Sequence, residues 1–142
     1  MSERVIDRFS TYVGLGQTDA FEMIYWAAVT EWVELGYENI LRTIGHPMDE
    51  ILKGDWDTPV VNVNIDYRRP LHLGQHITVE TEIAAVGNRS FRTETRIFAA
   101  DGQVSVRILR TMVATRRAGG PAPLPDWIKV LGPPRQKPQG IS

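Results

Sequence analysis

With 142 residues, 42% of them hydrophobic and 23% charged, the chain has the size of one domain and the composition of a packed globular protein, which excludes wholesale disorder and a coiled coil. Sixteen basic residues against seventeen acidic ones give a net charge of −1, so the basic excess of a nucleic-acid or membrane-surface binder is missing and any bound anion must be met by local charge. The lack of cysteine removes disulfides, thiolate metal sites and thiol nucleophiles, and three separated histidines, His46, His72 and His76, argue against a histidine-rich metal site.

The polar N-terminus MSERVIDRFS is unlike the apolar stretch of a secretory signal, and no run approaches the roughly 18 apolar residues that cross a bilayer, so a cytoplasmic protein is expected. Residues 5–13 read as a first strand, broken by Gly14 and Gly16. From Met23 to Ile44 the positions Trp26, Val29, Val33, Tyr37, Ile40 and Ile44 step by three or four, the period of one helical face. This spacing predicts a single long helix over 23–44, with Thr18 or Asp19 just ahead of it, Glu22 near its first turn, and Gly45-His46-Pro47 as its stop. Residues 48–53 have room for one or two further turns.

After Pro59 the period changes to two. Val61, Val63, Ile65 and Tyr67 fall on one side and Asn62, Asn64 and Asp66 on the other, predicting a half-buried strand. Further strands are expected over 77–83, 91–99 and 104–115, separated by turns at Gly74, Gly87-Asn88 and Asp101-Gly102. Four consecutive strands with short connections predict an antiparallel meander in which each pairs with its neighbour, covered by the helix: an α+β fold. Beyond Arg117 the chain holds six of its nine prolines, so neither helix nor strand is expected there, although Trp127, Ile128, Val130 and Leu131 form an apolar cluster suited to docking. The expected organisation is one domain over 1–116 and a partly docked tail over 117–142.

The segments TDAFEMIYW, TEWVELGYENIL and TPVVNVNIDYRRPLHLGQHITVETEI, in that order, resemble the hotdog-fold thioesterases of the 4-hydroxybenzoyl-CoA thioesterase family, over about residues 8 to 116. The resemblance implies a long helix wrapped by a curved antiparallel sheet, two subunits joined sheet edge to sheet edge, and active sites between subunits. It implies an acyl-CoA or acyl-carrier thioester as substrate, no metal, no other cofactor, and a dimer or tetramer. By the same resemblance Asp19 is the catalytic carboxylate, the backbone N–H of Trp26 polarises the thioester carbonyl, and Tyr25 belongs with the substrate-binding residues. Asn88-Arg89-Ser90-Phe91 resembles the turn that meets the nucleotide end of coenzyme A. The family commonly has glycine where this chain has Phe21 and Glu22, and glycine lets backbone approach a ligand closely, so the acyl pocket is where the chain departs from its relatives.

Thioester hydrolysis needs a nucleophile and a place for negative charge on oxygen. A carboxylate can attack the carbonyl itself or take a proton from water, and the N–H groups of a first helical turn can hold the oxyanion; the sequence leaves both roles of Asp19 open. An Asp ahead of a helix is also an ordinary cap, and Glu22 reads either as a first-turn acid or as a second catalytic carboxylate. Arg68, Arg69 and Arg89 are candidate phosphate partners as well as surface cations, and the face of Asn62, Asn64 and Asp66 reads as a polar surface or an interface from which Asn64 could reach a substrate of the opposite subunit. The second class of function is a non-catalytic acyl-CoA or small-ligand binder on the same fold. A dehydratase, which needs a histidine near the helix, fits poorly, since residues 1–45 contain none.

Overall fold

The apolar stripe of Val29, Val33, Tyr37 and Ile40 does fold as one long helix, and nearly all of its buried side chains lie on that face. The computed structural model describes residues 4–24 and 27–134. Their elements are β1 (Ile6–Tyr12), a single 3-10 turn at Leu15–Gln17, α1 (Ala28–Thr43), α2 (Met48–Ile51), β2 (Trp56–Asp57), β3 (Val60–Tyr67), β4 (His76–Val86), β5 (Ser90–Ala99), β6 (Val104–Val113), β7 (Thr115–Arg116) and α3 (Asp126–Lys129). Helix α1 stops as its sequence dictates: Gly45 takes φ +88°, and the N–H of His46 closes back on the carbonyl of Leu41 at 2.9 Å. At its start the helix is shorter than the periodicity implies, beginning at Ala28 rather than Met23.

Five strands form one antiparallel sheet in the order β1-β4-β5-β6-β3, and β2 pairs with β7 alongside. The hairpins β4-β5 and β5-β6 are the expected meander. The pairing of β3 is not: it lies against β6 instead of β4, and β1 takes the edge of β4. The cause is the connection 68–75, which is too long for a hairpin turn. The N–H groups of Arg68 and Arg69 both donate to the carbonyl of Ser105 on β6, at 2.9 and 3.1 Å, while Gly74 donates to Val13 at 2.8 Å beside β1. Between them Leu71 is fully buried.

Helix α1 packs over β1, β4 and β5. One glycine sets how close it comes. A Cβ on Gly36 would stand 2.8 Å from the Cβ of Thr81 on β4 and nearer still to its hydroxyl, which hydrogen-bonds Thr95 at 3.1 Å. Among the described residues no cover of this kind reaches β3, so the predicted half-buried strand is largely exposed on both sides: Val60, Val61 and Val63 are 45, 56 and 47% accessible, and only Ile65 is partly covered.

The segment after Arg117 also departs from expectation. One helical turn, α3, forms behind Pro125, a position where the missing N–H costs nothing. Ile128 and Leu131 are buried beside Tyr37 and Phe91, and Trp127 packs against them, while Val130 stays exposed. Backbone bonds from Leu124 to Asn88 (2.8 Å) and from Val86 to Pro133 (2.9 Å) tie this stretch to the sheet.

The face of the sheet away from α1 is ionic. Glu80, Glu82 and Glu94 are nearly buried among Arg4, Arg8, Arg96 and Arg107, with Arg96 bridging all three carboxylates. Burial raises the Glu80 carboxyl, but hydrogen bonds from Arg8 and Arg96 outweigh it and hold the group below its ordinary 4.5. A depressed carboxylate contributes stability that is complete above 4.5 and is lost as pH falls through the lower folded value. Glu80→Gln is therefore expected to cost about 1 to 3 kcal/mol at neutral pH. In thermal melts carried downward in pH, its deficit against the parent should shrink below 4.5.

Candidate active site

Residues 18–24 form a tight loop rather than the first turn of a helix. Thr18 pairs with Ile24 across it, and the N–H of Asp19 donates to the carbonyl of Met23 at 2.9 Å. The Asp19 carboxylate accepts from the N–H of Phe21 at 2.8 Å and of Met23 at 3.4 Å, both through Oδ1. This is the turn an Asx side chain makes with its own backbone. The loop then docks on the 68–75 connection, with Ile24 donating to Leu71 (3.0 Å) and Leu73 donating to Glu22 (2.9 Å). These extended pairings use the N–H and C=O groups that a helix over 23–27 would need, which is why α1 starts late.

Two expectations change. Asp19 does not cap α1, whose N-cap position is Ala27 without a side-chain bond, and the acidic residue of the first helical turn is Glu31 rather than Glu22. Glu22 instead adopts φ +60°, the left-handed conformation that glycine takes without strain, at a position where the resemblance expects glycine. Asp19 is exposed, and because Oδ1 is held by the turn, Oδ2 is the oxygen able to face water or a carbonyl carbon. Tyr25 and Trp26, including the Trp26 N–H assigned to the oxyanion, lie outside the described residues.

Beside this loop is an open pocket of about 450 Å³, walled by Met23 and Ile24 on one side and by Tyr67, Arg68, Arg69 and Leu71 on the other. Burial raises the Tyr67 phenol above 10.0, so it enters the pocket as a neutral hydroxyl. Arg68 and Arg69 are thus brought to the loop, but neither is unengaged: Arg68 bonds Asp66 at 3.1 Å, and Arg69 bonds Asp101 at 2.8 Å and Gln103 at 3.3 Å. Backbone donation from Gln103 and the Arg69 guanidinium hold the Asp101 carboxyl below its ordinary range. The remaining sequence-derived candidates stand apart. Asn64 is exposed on β3 opposite Leu109 and does not line the pocket. Arg89 and Ser90 sit at the β4-β5 turn, separated from the 68–75 connection by the eleven residues of β4, roughly 35 Å of strand.

Sequence reasoning passed over Arg110 and Glu34. On β6, Val106, Ile108, Arg110 and Met112 alternate inward and all are buried, and Glu34 on α1 pairs with the Arg110 guanidinium. The signal was present as a charged residue inside an apolar period-two row. Together with Val29, Val33, Val63 and Ile65 these two line a second, smaller pocket of about 120 Å³ between α1 and β3. Among the described residues no group of three or more His, Asp or Glu gathers as a metal site, and no helix is long and apolar enough to cross a membrane.

Compared with known proteins, residues 13–130 match the family model of the thioesterase-like superfamily. The chain belongs to this superfamily. Its α+β arrangement is the hotdog fold: a 1,4-dihydroxy-2-naphthoyl-CoA thioesterase from Synechocystis superposes with a TM-score of 0.80 at 23% identity, over 88% of this chain and 93% of that one. A DHNA-CoA thioesterase from Staphylococcus aureus gives 0.79 at 16% identity, over 88% and 87%. In sequence, a 1,4-dihydroxy-2-naphthoyl-CoA hydrolase of Synechococcus elongatus is 24% identical over 129 residues, covering 87% of this chain and 95% of the relative.

In this thioesterase-like protein the Glu22 conformation is a local test of the loop. Glu22→Gly is expected to raise stability by up to about 1 kcal/mol, and Glu22→Val, with its branched Cβ in the left-handed region, to lower it by about 1 kcal/mol or more. Urea unfolding of the two variants should therefore bracket the parent.

Proposed function

We propose that the protein hydrolyses an acyl-CoA thioester to free acid and thiol, with Asp19 as the reacting carboxylate. The reading is carried by the superfamily match over residues 13–130 together with the placing of the Asp19 loop against a pocket that Arg68 and Arg69 line. The Synechococcus elongatus relative, named as a 1,4-dihydroxy-2-naphthoyl-CoA hydrolase, supports coenzyme A as the carrier. Either Asp19 takes a proton from water as that water attacks the thioester carbon, or it attacks directly to give a mixed anhydride that water then opens. In both routes the C–S bond breaks, and the thiolate leaves and takes up a proton. The start of α1, with the Trp26 N–H ahead of it, supplies the oxyanion donors, and no cofactor is required.

In the finer assignment, to the 4-hydroxybenzoyl-CoA thioesterase family, the site is shared between subunits. Arg89 and Ser90, remote from Asp19 within one chain, then serve the nucleotide end of a coenzyme A bound largely by another subunit, with Tyr25 and Asn64 at its acyl end. The exposed valines of β3 are the surface such a dimer or tetramer would cover, and the cytoplasm is its compartment. Light scattering should give at least two chain masses at micromolar concentration; a stable monomer would remove the shared site.

One observation favours the non-catalytic reading. The Asp19 carboxylate is already employed in its own turn, so the residue has a structural task without any chemistry. Asparagine separates the two, because its amide oxygen can keep the turn while losing the negative charge. Asp19→Asn is expected to hold its melting temperature and to lose at least about 100-fold in thiol release from acyl-CoA. Glu22→Gln should lose little. Near-full turnover by Asp19→Asn would place the catalytic carboxylate elsewhere.

A further inference from the structure

The turn between β4 and β5 is held from outside the hairpin. Its own closing bond, from the N–H of Gly87 to the carbonyl of Ser90 at 2.7 Å, uses neither the carbonyl of Asn88 nor that of Arg89. Both are taken by chain that follows β6: Leu124 donates to Asn88 at 2.8 Å, and Ala114 donates to Arg89 at 2.7 Å. Ala114 is fixed by the same stretch, because its carbonyl accepts from Ala122 at 3.1 Å. On the β4 side of the turn Val86 donates to Pro133 at 2.9 Å, and a Cβ on the neighbouring Gly132 would stand 2.8 Å from the carbonyl oxygen of Ile83. Residues 122–133 thus grip the turn on both sides, while the Arg89 side chain stays exposed and, among the described residues, makes no ion pair.

The grip has its own anchor. Ile128 and Leu131 are buried in the core beside Tyr37 and Phe91. The Trp127 ring stacks on the ring of His46, with centroids 4.1 Å apart and planes 8° from parallel, and Trp56 stands edge-on to it at 5.7 Å. His46 belongs to the stop of α1, so the stretch is fastened to the end of the helix and lies against the turn. Prolines at 121, 123, 125 and 133 restrict its backbone further. A segment so constrained can order a hairpin end that would otherwise fray.

We propose that residues 122–133 are a positioning element for coenzyme A: by holding Asn88 and Arg89 they present the Arg89 guanidinium, already ordered, to the phosphates of the nucleotide end, and Trp127 is the positioning residue that keeps them in place. The proposal rests on the coenzyme A reading above and adds what sets the affinity for that end of the carrier. A flexible turn loses its freedom when it binds a ligand, whereas a turn ordered beforehand has lost it already, and the difference appears as affinity. The eleven residues of β4 separate this turn from the 68–75 connection beside the Asp19 loop, so the effect belongs to holding the carrier and not to breaking the C–S bond. Binding lost equally from the ground state and the transition state raises KM and leaves kcat unchanged.

The test uses the full chain and one acyl group on two carriers, coenzyme A and pantetheine, the second of which lacks the nucleotide. Trp127→Ala should raise KM for the coenzyme A thioester by roughly tenfold, keep kcat within about twofold, and leave KM for the pantetheine thioester unchanged. Trp127→Phe, which restores a ring on His46, should return KM to within about twofold of the parent. Gly132→Ala, which forces the backbone away from Ile83, should act as Trp127→Ala does and carries the comparison if that variant does not fold. Arg89→Ala should raise the same KM, and Trp127→Ala added to it should raise it little further, since both act through one guanidinium. Equal losses on both carriers, a fall in kcat alone, additive effects of Arg89→Ala and Trp127→Ala, or no change in any variant overturns the positioning role and leaves the thioesterase intact. If the parent hydrolyses neither thioester, the thioesterase reading fails, and calorimetry with coenzyme A itself decides the rest. Binding weakened by roughly tenfold in Trp127→Ala then upholds the positioning role, and binding that is unchanged or missing overturns it as well.

Discussion

Leu71 is the side chain on which the arrangement turns. It is fully buried in a connection that also carries Pro70, and its burial obliges residues 68–75 to pass under the end of the sheet instead of closing a hairpin. Once that path is taken, β3 must leave by β6 and β4 must begin beside β1. The same connection supplies the backbone groups that hold Ile24 and Glu22, so the Asp19 loop is positioned by the element that fixes the strand order. Fold and candidate site therefore share one constraint, and loosening Leu71 would disturb both.

The two faces of the sheet solve different problems. Toward α1 the side chains of β4, β5 and β6 are apolar, with Thr81 and Thr95 satisfying each other under Gly36. Away from it, three nearly buried carboxylates are balanced by four arginines, an arrangement whose worth lies in every charge having a partner more than in the number of pairs. Arg110 is the exception that crosses this division, a cation on the apolar face. Its ion pair with Glu34 occupies one edge of its guanidinium, and the gap beside β3 lies where the helix no longer covers the sheet.

What the sequence made legible was local. The stripe of α1, the stop at Gly45 and the turn at Asp101-Gly102 depend on neighbours a few residues away, and each stands where periodicity and turn chemistry put it. The partner of β3 depended on residues 39 to 52 positions distant, and alternation within one strand carries no information about which strand lies beside it. The spacing starts the helix at Met23 because Met23 and Trp26 continue a three-residue step; hydrogen bonds to Leu71 and from Leu73, which no local pattern encodes, hold residues 22–24 in a loop instead. In the tail, prolines argued against structure, yet Ile128 and Leu131 gain enough from burial to hold a turn in place. Of the site, Arg68 and Arg69 share a pocket with Met23 and Ile24 of the loop that carries Asp19, while Arg89 and Ser90 are carried away by the length of β4.

The features that remain open in a single chain lie along one edge. β3 offers unpaired backbone and three exposed valines, the gap lined by Arg110 has β3 as its outer wall, and the larger pocket begins where β3 ends at Tyr67. An edge of that kind invites strand pairing, and few prolines or lysines guard it. In the proposed dimer a second β3 would satisfy the backbone, cover the valines and close the outer side of that gap together.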